Sequence, residues 1–73
     1  MNTFVLPMGN QRIEKVKSYL TKYYMLDLVD ENSDSITLGN KRMIVNIGKE
    51  WINIWLFDIE TNIDKIQKLL GDR

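Results

Sequence analysis

The chain has 73 residues, 44% hydrophobic and 27% charged, a globular balance rather than a disordered one. A length of this order supports one domain, 1–73, with one core, burying roughly 60% of the surface its unfolded chain exposes. Ten Lys and Arg offset ten Asp and Glu, so no global field draws the protein to nucleic acid or a membrane, and the lack of Cys and His excludes disulfides, the usual zinc sites, thiol nucleophiles and the commonest general base.

The N-terminal "MNTFVLPMGNQ" has no positive n-region, and its apolar run is shorter than a signal h-region or a membrane span. This leads to the expectation of a cytoplasmic protein without membrane association. Within it, "TFVL", closed by Pro7, reads as a strand at a sheet edge, where proline is tolerated. A first helix is expected from about Gln11 to Tyr24, with Ile13, Val16, Leu20 and Tyr23 on one stripe and Asn10 as N-cap.

Strand and turn signals then alternate: "MLDLVD", "ENSD", "SITL", "GN", "KRMIVNIG", "KE" and "WINIWLFD". They predict an antiparallel meander of four strands, or of five where the N-terminal segment joins it at one edge. A second helix, from about Asn62 to Leu70, carries Ile63, Ile66, Leu69 and Leu70 on one stripe, with Thr61 as N-cap and Gly71 as stop. The fold class that follows is α+β, a two-layer antiparallel sheet with both helices on one face, in the order (β)-α-β-β-β-β-α.

Register follows from the two tight turns. A two-residue loop at Gly39–Asn40 sets Leu38 opposite Lys41 and Ile36 opposite Met43, and one at Lys49–Glu50 sets Ile47 opposite Ile52 and Val45 opposite Ile54. One face then collects Ile36, Leu38, Met43, Val45, Ile47, Ile52, Ile54 and Leu56, all aliphatic. The other collects Thr37, Arg42, Ile44, Asn46, Trp51, Asn53, Trp55 and Phe57, half polar and half aromatic. Such a mixture suits neither open solvent nor a dry core, whereas Trp, Phe and Arg are enriched at interface centres.

Candidate chemistry is sparse. Asp30, Asn32 and Asp34 have the alternate spacing that opens a calcium loop, but Ser35 stands at the glycine position and Lys41 at the bidentate glutamate position, so "DENSDS" reads as a solvated turn. No phosphate loop or nucleophile motif appears, and the expectation is a protein that is not an enzyme, with no cofactor, no metal and no small-molecule substrate. The carboxylates Asp27, Asp30, Glu31 and Asp34 read as a contact for a basic partner.

The order helix, strands, helix is similar to that of double-stranded-RNA-binding domains, and an open aromatic sheet is similar to RNA-recognition platforms. "NIDKIQKLL" lacks the basic start of the former, no aromatic segment matches the latter, and neither family is assigned. The functional expectation is a protein-protein interaction module. Its partner surface comprises Trp51, Trp55, Phe57, Arg42, Ile44, Asn53, Asp30, Glu31 and Asp34, engaging a protein partner, a second copy of the chain, or both. The role expected is a small inhibitor or adaptor from a phage or mobile element, an origin towards which the A/T-rich codons implied by abundant Asn, Ile and Lys point. One alternative is a small nucleic-acid binder using Arg12, Lys15, Arg42 and the sheet aromatics, against which the zero net charge argues; another is a homodimeric structural or regulatory protein.

Overall fold

Alternation at period two pairs five segments into one antiparallel sheet, seen here in a computed structural model that describes residues 2–57 and 63–71. The strands are β1 (Asn2–Pro7), β2 (Asp27–Glu31), β3 (Ile36–Gly39), β4 (Met43–Ile47) and β5 (Trp51–Leu56), and the helices are α1 (Ile13–Tyr24) and α2 (Ile63–Gly71). The spatial order is β1-β5-β4-β3-β2. The expected meander is therefore present, and the N-terminal strand closes it as the fifth member beside β5.

The aliphatic face is the seat of the helices. All eight side chains assigned to it are buried, joined by Val16 and Leu20 of α1 and Ile66 and Leu70 of α2. The α1 helix lies against β3 and β4, and α2 against β1. No buried side chain among the described residues is polar or charged. Burying fifteen apolar side chains in one cluster supplies the main favourable term in folding, at about 25 cal/mol per Å² of apolar surface removed from water.

The β4–β5 register matches the expectation, with Ile47 opposite Ile52, Val45 opposite Ile54, Asn46 opposite Asn53 and Ile44 opposite Trp55. The β3–β4 register does not. Leu38 faces Val45 and Ile36 faces Ile47, because the turn is centred on Lys41 and Arg42, closed by the Asn40 N–H donating to the Met43 carbonyl at 2.9 Å, rather than on Gly39 and Asn40. The cause is the Asn40 side chain, whose Oδ1 accepts from the Arg42 N–H at 2.7 Å and the Met43 N–H at 3.0 Å, templating the turn two residues further along the chain. Because the displacement is an even number of residues, every side chain keeps its face.

Other local expectations are corrected. The α1 helix starts at Ile13 with Arg12 in the cap position, and no side chain caps it. Asn10 is displaced from that role because the chain leaves β1 through a tight turn with Gly9 at φ 58°, closed by Gln11, whose backbone N–H and Nε2 both donate to the Met8 carbonyl. Tyr23 is 55% exposed, and Tyr24 packs against the core instead. Met25 is not in a strand: it ends α1 in the left-handed conformation at φ 55°, and Leu26 is buried. The expected Thr61 cap lies outside the described residues, and α2 includes Gly71 as its last residue.

The sheet's two edges differ. β1 ends in Pro7, opposite Trp51, and Met8 N–H continues the ladder to the Glu50 carbonyl at 2.9 Å. β2 carries a bulge at Val29, between the pairs Leu28–Leu38 and Asp30–Thr37. Leu28 points to the helix face yet is 52% exposed, because α1 covers β3 and β4 and stops short of β2.

Two predictions concern the junction where α1 ends. Asn40 Nδ2 donates to the Tyr24 carbonyl at 3.1 Å, so one side chain ties the helix terminus to the β3–β4 turn. Asn40→Ala is expected to cost about 1–3 kcal/mol in urea unfolding, since it removes that bond and leaves turn amides unpaired; a loss below about 0.5 kcal/mol would place it with ordinary surface changes. Met25, by contrast, is 80% exposed and holds a backbone conformation that costs a non-glycine residue about 1–2 kcal/mol. Met25→Gly is expected to raise the unfolding free energy by about 0.5–1 kcal/mol, and a decrease would contradict that account.

Candidate functional site

The face opposite the helices is built in rows across the strands. One row runs Thr3, Trp55, Ile44, Gly39 and Asp27, and the next runs Val5, Asn53, Asn46, Thr37 and Asp30. Pro7 and Trp51 form a third at the other end. No described helix or strand covers these rows. Trp51 is 53% and Phe57 48% exposed, while Trp55, Ile44, Asn46, Asn53 and Thr37 are half-buried among their neighbours.

The middle row is polar and internally bonded. Asn46 Nδ2 donates to Thr37 Oγ1 at 2.9 Å, with Asn53 opposite Asn46 on the other side. This seam separates two shallow apolar hollows. The first is lined by Ile44, Trp55 and Phe57 with Thr37 and Asn46; the second lies around Trp51 and Asn53, with Asp34, Lys49 and Glu50 at its margin. Gly39 contributes by having no side chain. A Cβ there would meet Ile44 Cγ1 at 3.3 Å and Val29 Cγ2 at 3.4 Å, so the bulged Val29 extends the apolar strip toward the β2 edge.

The residues named from sequence are only partly brought together. Trp51, Asn53, Trp55, Ile44 and Phe57 share this face, and Asp30 stands at its edge beside Thr37. Glu31 pairs with Ile36 and therefore projects toward the helix side. Asp34 sits in the β2–β3 turn, where Asn32 Oδ1 accepts from the Asp34 and Ser35 amides, and its carboxylate meets Lys49 Nζ at 3.3 Å. Both partners of that pair are well exposed, so it contributes little to stability.

Arg42 is placed differently from the expectation. It lies in the β3–β4 turn, where its carbonyl accepts from the Phe57 N–H at 2.8 Å, and it lines a groove with Tyr23, Tyr24 and Lys65. Lys15 is on α1 and Arg12 occupies the cap position at its start, on the far side of the sheet from both tryptophans. Lys15 Nζ stands 5.8 Å from the Tyr19 ring centroid. Arg12, Lys15 and the sheet aromatics therefore do not form one surface.

Sequence reasoning missed the groove at the ends of the helices. It draws on the end of α1, the β3–β4 turn and α2, three segments that nothing local links; the one available signal was the i, i+3 spacing of Lys65 and Lys68, which sets both on one side of a helix. No helix among the described residues is long and apolar enough to cross a membrane. A scan against protein-family models finds no matching family, and neither a curated protein nor a solved structure matches the chain.

Proposed function

We propose that this is a non-enzymatic binding protein that engages a partner protein through the open face of its sheet. The observation that carries the reading is the presence of Trp51, Phe57 and Val5, all about half exposed or more, on a face that no described element covers. Large amphipathic rings around apolar hollows, crossed by a hydrogen-bonded polar seam, have the composition of an interface centre with a satisfied polar component. Asp30 at one edge and Glu50 at another margin, beside the Asp34–Lys49 ion pair, leave the rim with an excess of acid, which suits a partner with basic groups around an apolar patch. The absence of His and Cys supports a role in occupying another protein's site rather than in chemistry. Such a role belongs to small inhibitors and adaptors, and the abundance of Asn, Ile and Lys supports a phage or mobile-element source.

The test uses two side chains whose loss does not open the core. In a Trp51→Ser, Phe57→Ser double variant, capture of a specific protein from host lysate is expected to weaken at least about 30-fold, the scale of one interface hot spot. Sedimentation of the wild type separates a foreign partner from a second copy of the chain. A dimer that the double variant dissociates assigns the face to self-association. Equal capture and unchanged sedimentation by a variant that still melts cooperatively would remove the face from the interaction.

A further inference from the structure

The open face of the sheet carries more hydrogen-bonding capacity than it uses. The bond from Asn46 Nδ2 to Thr37 Oγ1 leaves the Thr37 hydroxyl hydrogen and the second Asn46 amide hydrogen free to donate. Among the described residues, neither the Asn53 side-chain amide nor either indole N–H has a protein partner. These groups are open to solvent, since no polar side-chain atom among the described residues is buried without a partner. They stand beside the two apolar hollows, one at Ile44, Trp55 and Phe57 and the other at Trp51 and Asn53. Along β5 the face therefore runs ring, amide, ring: Trp55, Asn53, Trp51.

That pattern discriminates among the backbones a partner can present. A helix keeps its carbonyls in its own hydrogen bonds, so it would cover the amide and indole donors with side chains and leave them unpaired, which a buried donor does at full desolvation cost. A β-strand finds backbone partners at a sheet edge, whereas β4 and β5 are already paired on both sides. A polyproline II segment makes no internal hydrogen bonds and turns its carbonyls outward. Its rings pack on aromatic side chains, and it is ordered before it binds. Length agrees as well: Trp51 and Trp55 are about 13 Å apart along the strand, which about four residues of such a segment span. Beside the Trp51 hollow lies Glu50, whose carboxylate has no ion-pair partner among the described residues, so a cation flanking the segment has a counter-charge waiting.

We propose that the open face binds a proline-rich segment of a partner protein in the polyproline II conformation, laid along β5 with a Lys or Arg of the segment at the Glu50 end. The inference rests on the protein-binding reading of this face and narrows its partner to one class of backbone. Prolines seat against Trp55 and Phe57 at one end and Trp51 at the other. Asn53 and the Thr37 hydroxyl donate to carbonyls between them, and Glu50 receives the cation.

The test is an NMR titration of the full chain with four short synthetic peptides: plain oligoproline, oligoproline ending in arginines, and a Gly–Ser peptide and an alanine-rich helical peptide ending in the same arginines. The arginine-tailed oligoproline is expected to move both indole N–H signals and the Asn53 side-chain amide, leaving the Tyr23 amide on the helix side in place. The Gly–Ser and helical peptides should bind at least about ten-fold more weakly. Trp51→Ser, at a half-exposed position, should weaken both oligoprolines at least about ten-fold while the protein still melts cooperatively. Asn53→Ala should weaken both about two- to ten-fold, the scale of one hydrogen bond. Glu50→Gln should weaken the arginine-tailed form by up to about five-fold, the scale of an exposed ion pair, and leave the plain form unchanged.

The proposal is overturned if the arginine-tailed oligoproline at about 1 mM moves neither indole, or if Trp51→Ser leaves its affinity unchanged. It is overturned too if the Gly–Ser peptide binds as tightly, which would reduce the face to a charge contact, or if the helical peptide binds more tightly, which would make the partner a helix. The broader reading fails separately. If every peptide is refused while the Trp51→Ser, Phe57→Ser variant still loses its captured partner or its dimer, the face remains an interface and only the proline-rich occupant falls. If that variant changes neither capture nor sedimentation, the interface itself falls.

Discussion

β5 is the constraint on which the rest of the structure depends. It is flanked by β1 and β4, so its backbone is paired on both sides and only the alternation of its side chains remains to be satisfied. Ile52, Ile54 and Leu56 go into the single core. Each helix has one apolar stripe, and both stripes are used on that side, so the described elements include no second layer for Trp51, Asn53 and Trp55. The open face follows from this arithmetic of layers. Register is protected from the same side: a one-residue slip of β5 would drive Asn53 and both tryptophans into a core that contains no polar partner.

Much of the fold was legible because pattern and turn agreed. "WINIWLFD" and "KRMIVNIG" alternate in phase and are joined by Lys49 and Glu50, which leaves one register that keeps every aliphatic residue on one side, and that register is observed. The β3–β4 turn was misplaced because Gly39–Asn40 is a strong hairpin signal, whereas Asn40 acts through its side chain and sets the turn at Lys41 and Arg42 by caging two amides. Tyr23 and Tyr24 were exchanged for a similar reason. Periodicity alone admits either, and the position of α1 over β3 and β4 decides between them. Met8, which lies in the core, carried no periodic signal because it follows a proline in a turn segment.

Surface features were less legible than the fold. The aromatic face could be derived, since it is the complement of a face fixed by burial. The groove could not, since its walls come from the end of one helix, a turn and a second helix. Arg42 illustrates the difference: by strand parity it belongs with Ile44 and Asn46, but the turn that begins at Asn40 takes it out of the ladder and into the groove.

The irregular edges of the sheet have a consequence for how the molecule can assemble. An edge strand with free backbone groups can recruit another strand, and each recruited copy presents a fresh edge, so growth along that direction has no natural end. Here one edge strand finishes in a proline that has no N–H to offer, and the other is bent by the Val29 bulge and studded with carboxylates that repel their own kind. Lateral polymerisation is disfavoured at both ends. If the open face binds a partner as proposed, a partner once seated exposes no further copy of the surface it covers, and such a complex would have a fixed stoichiometry.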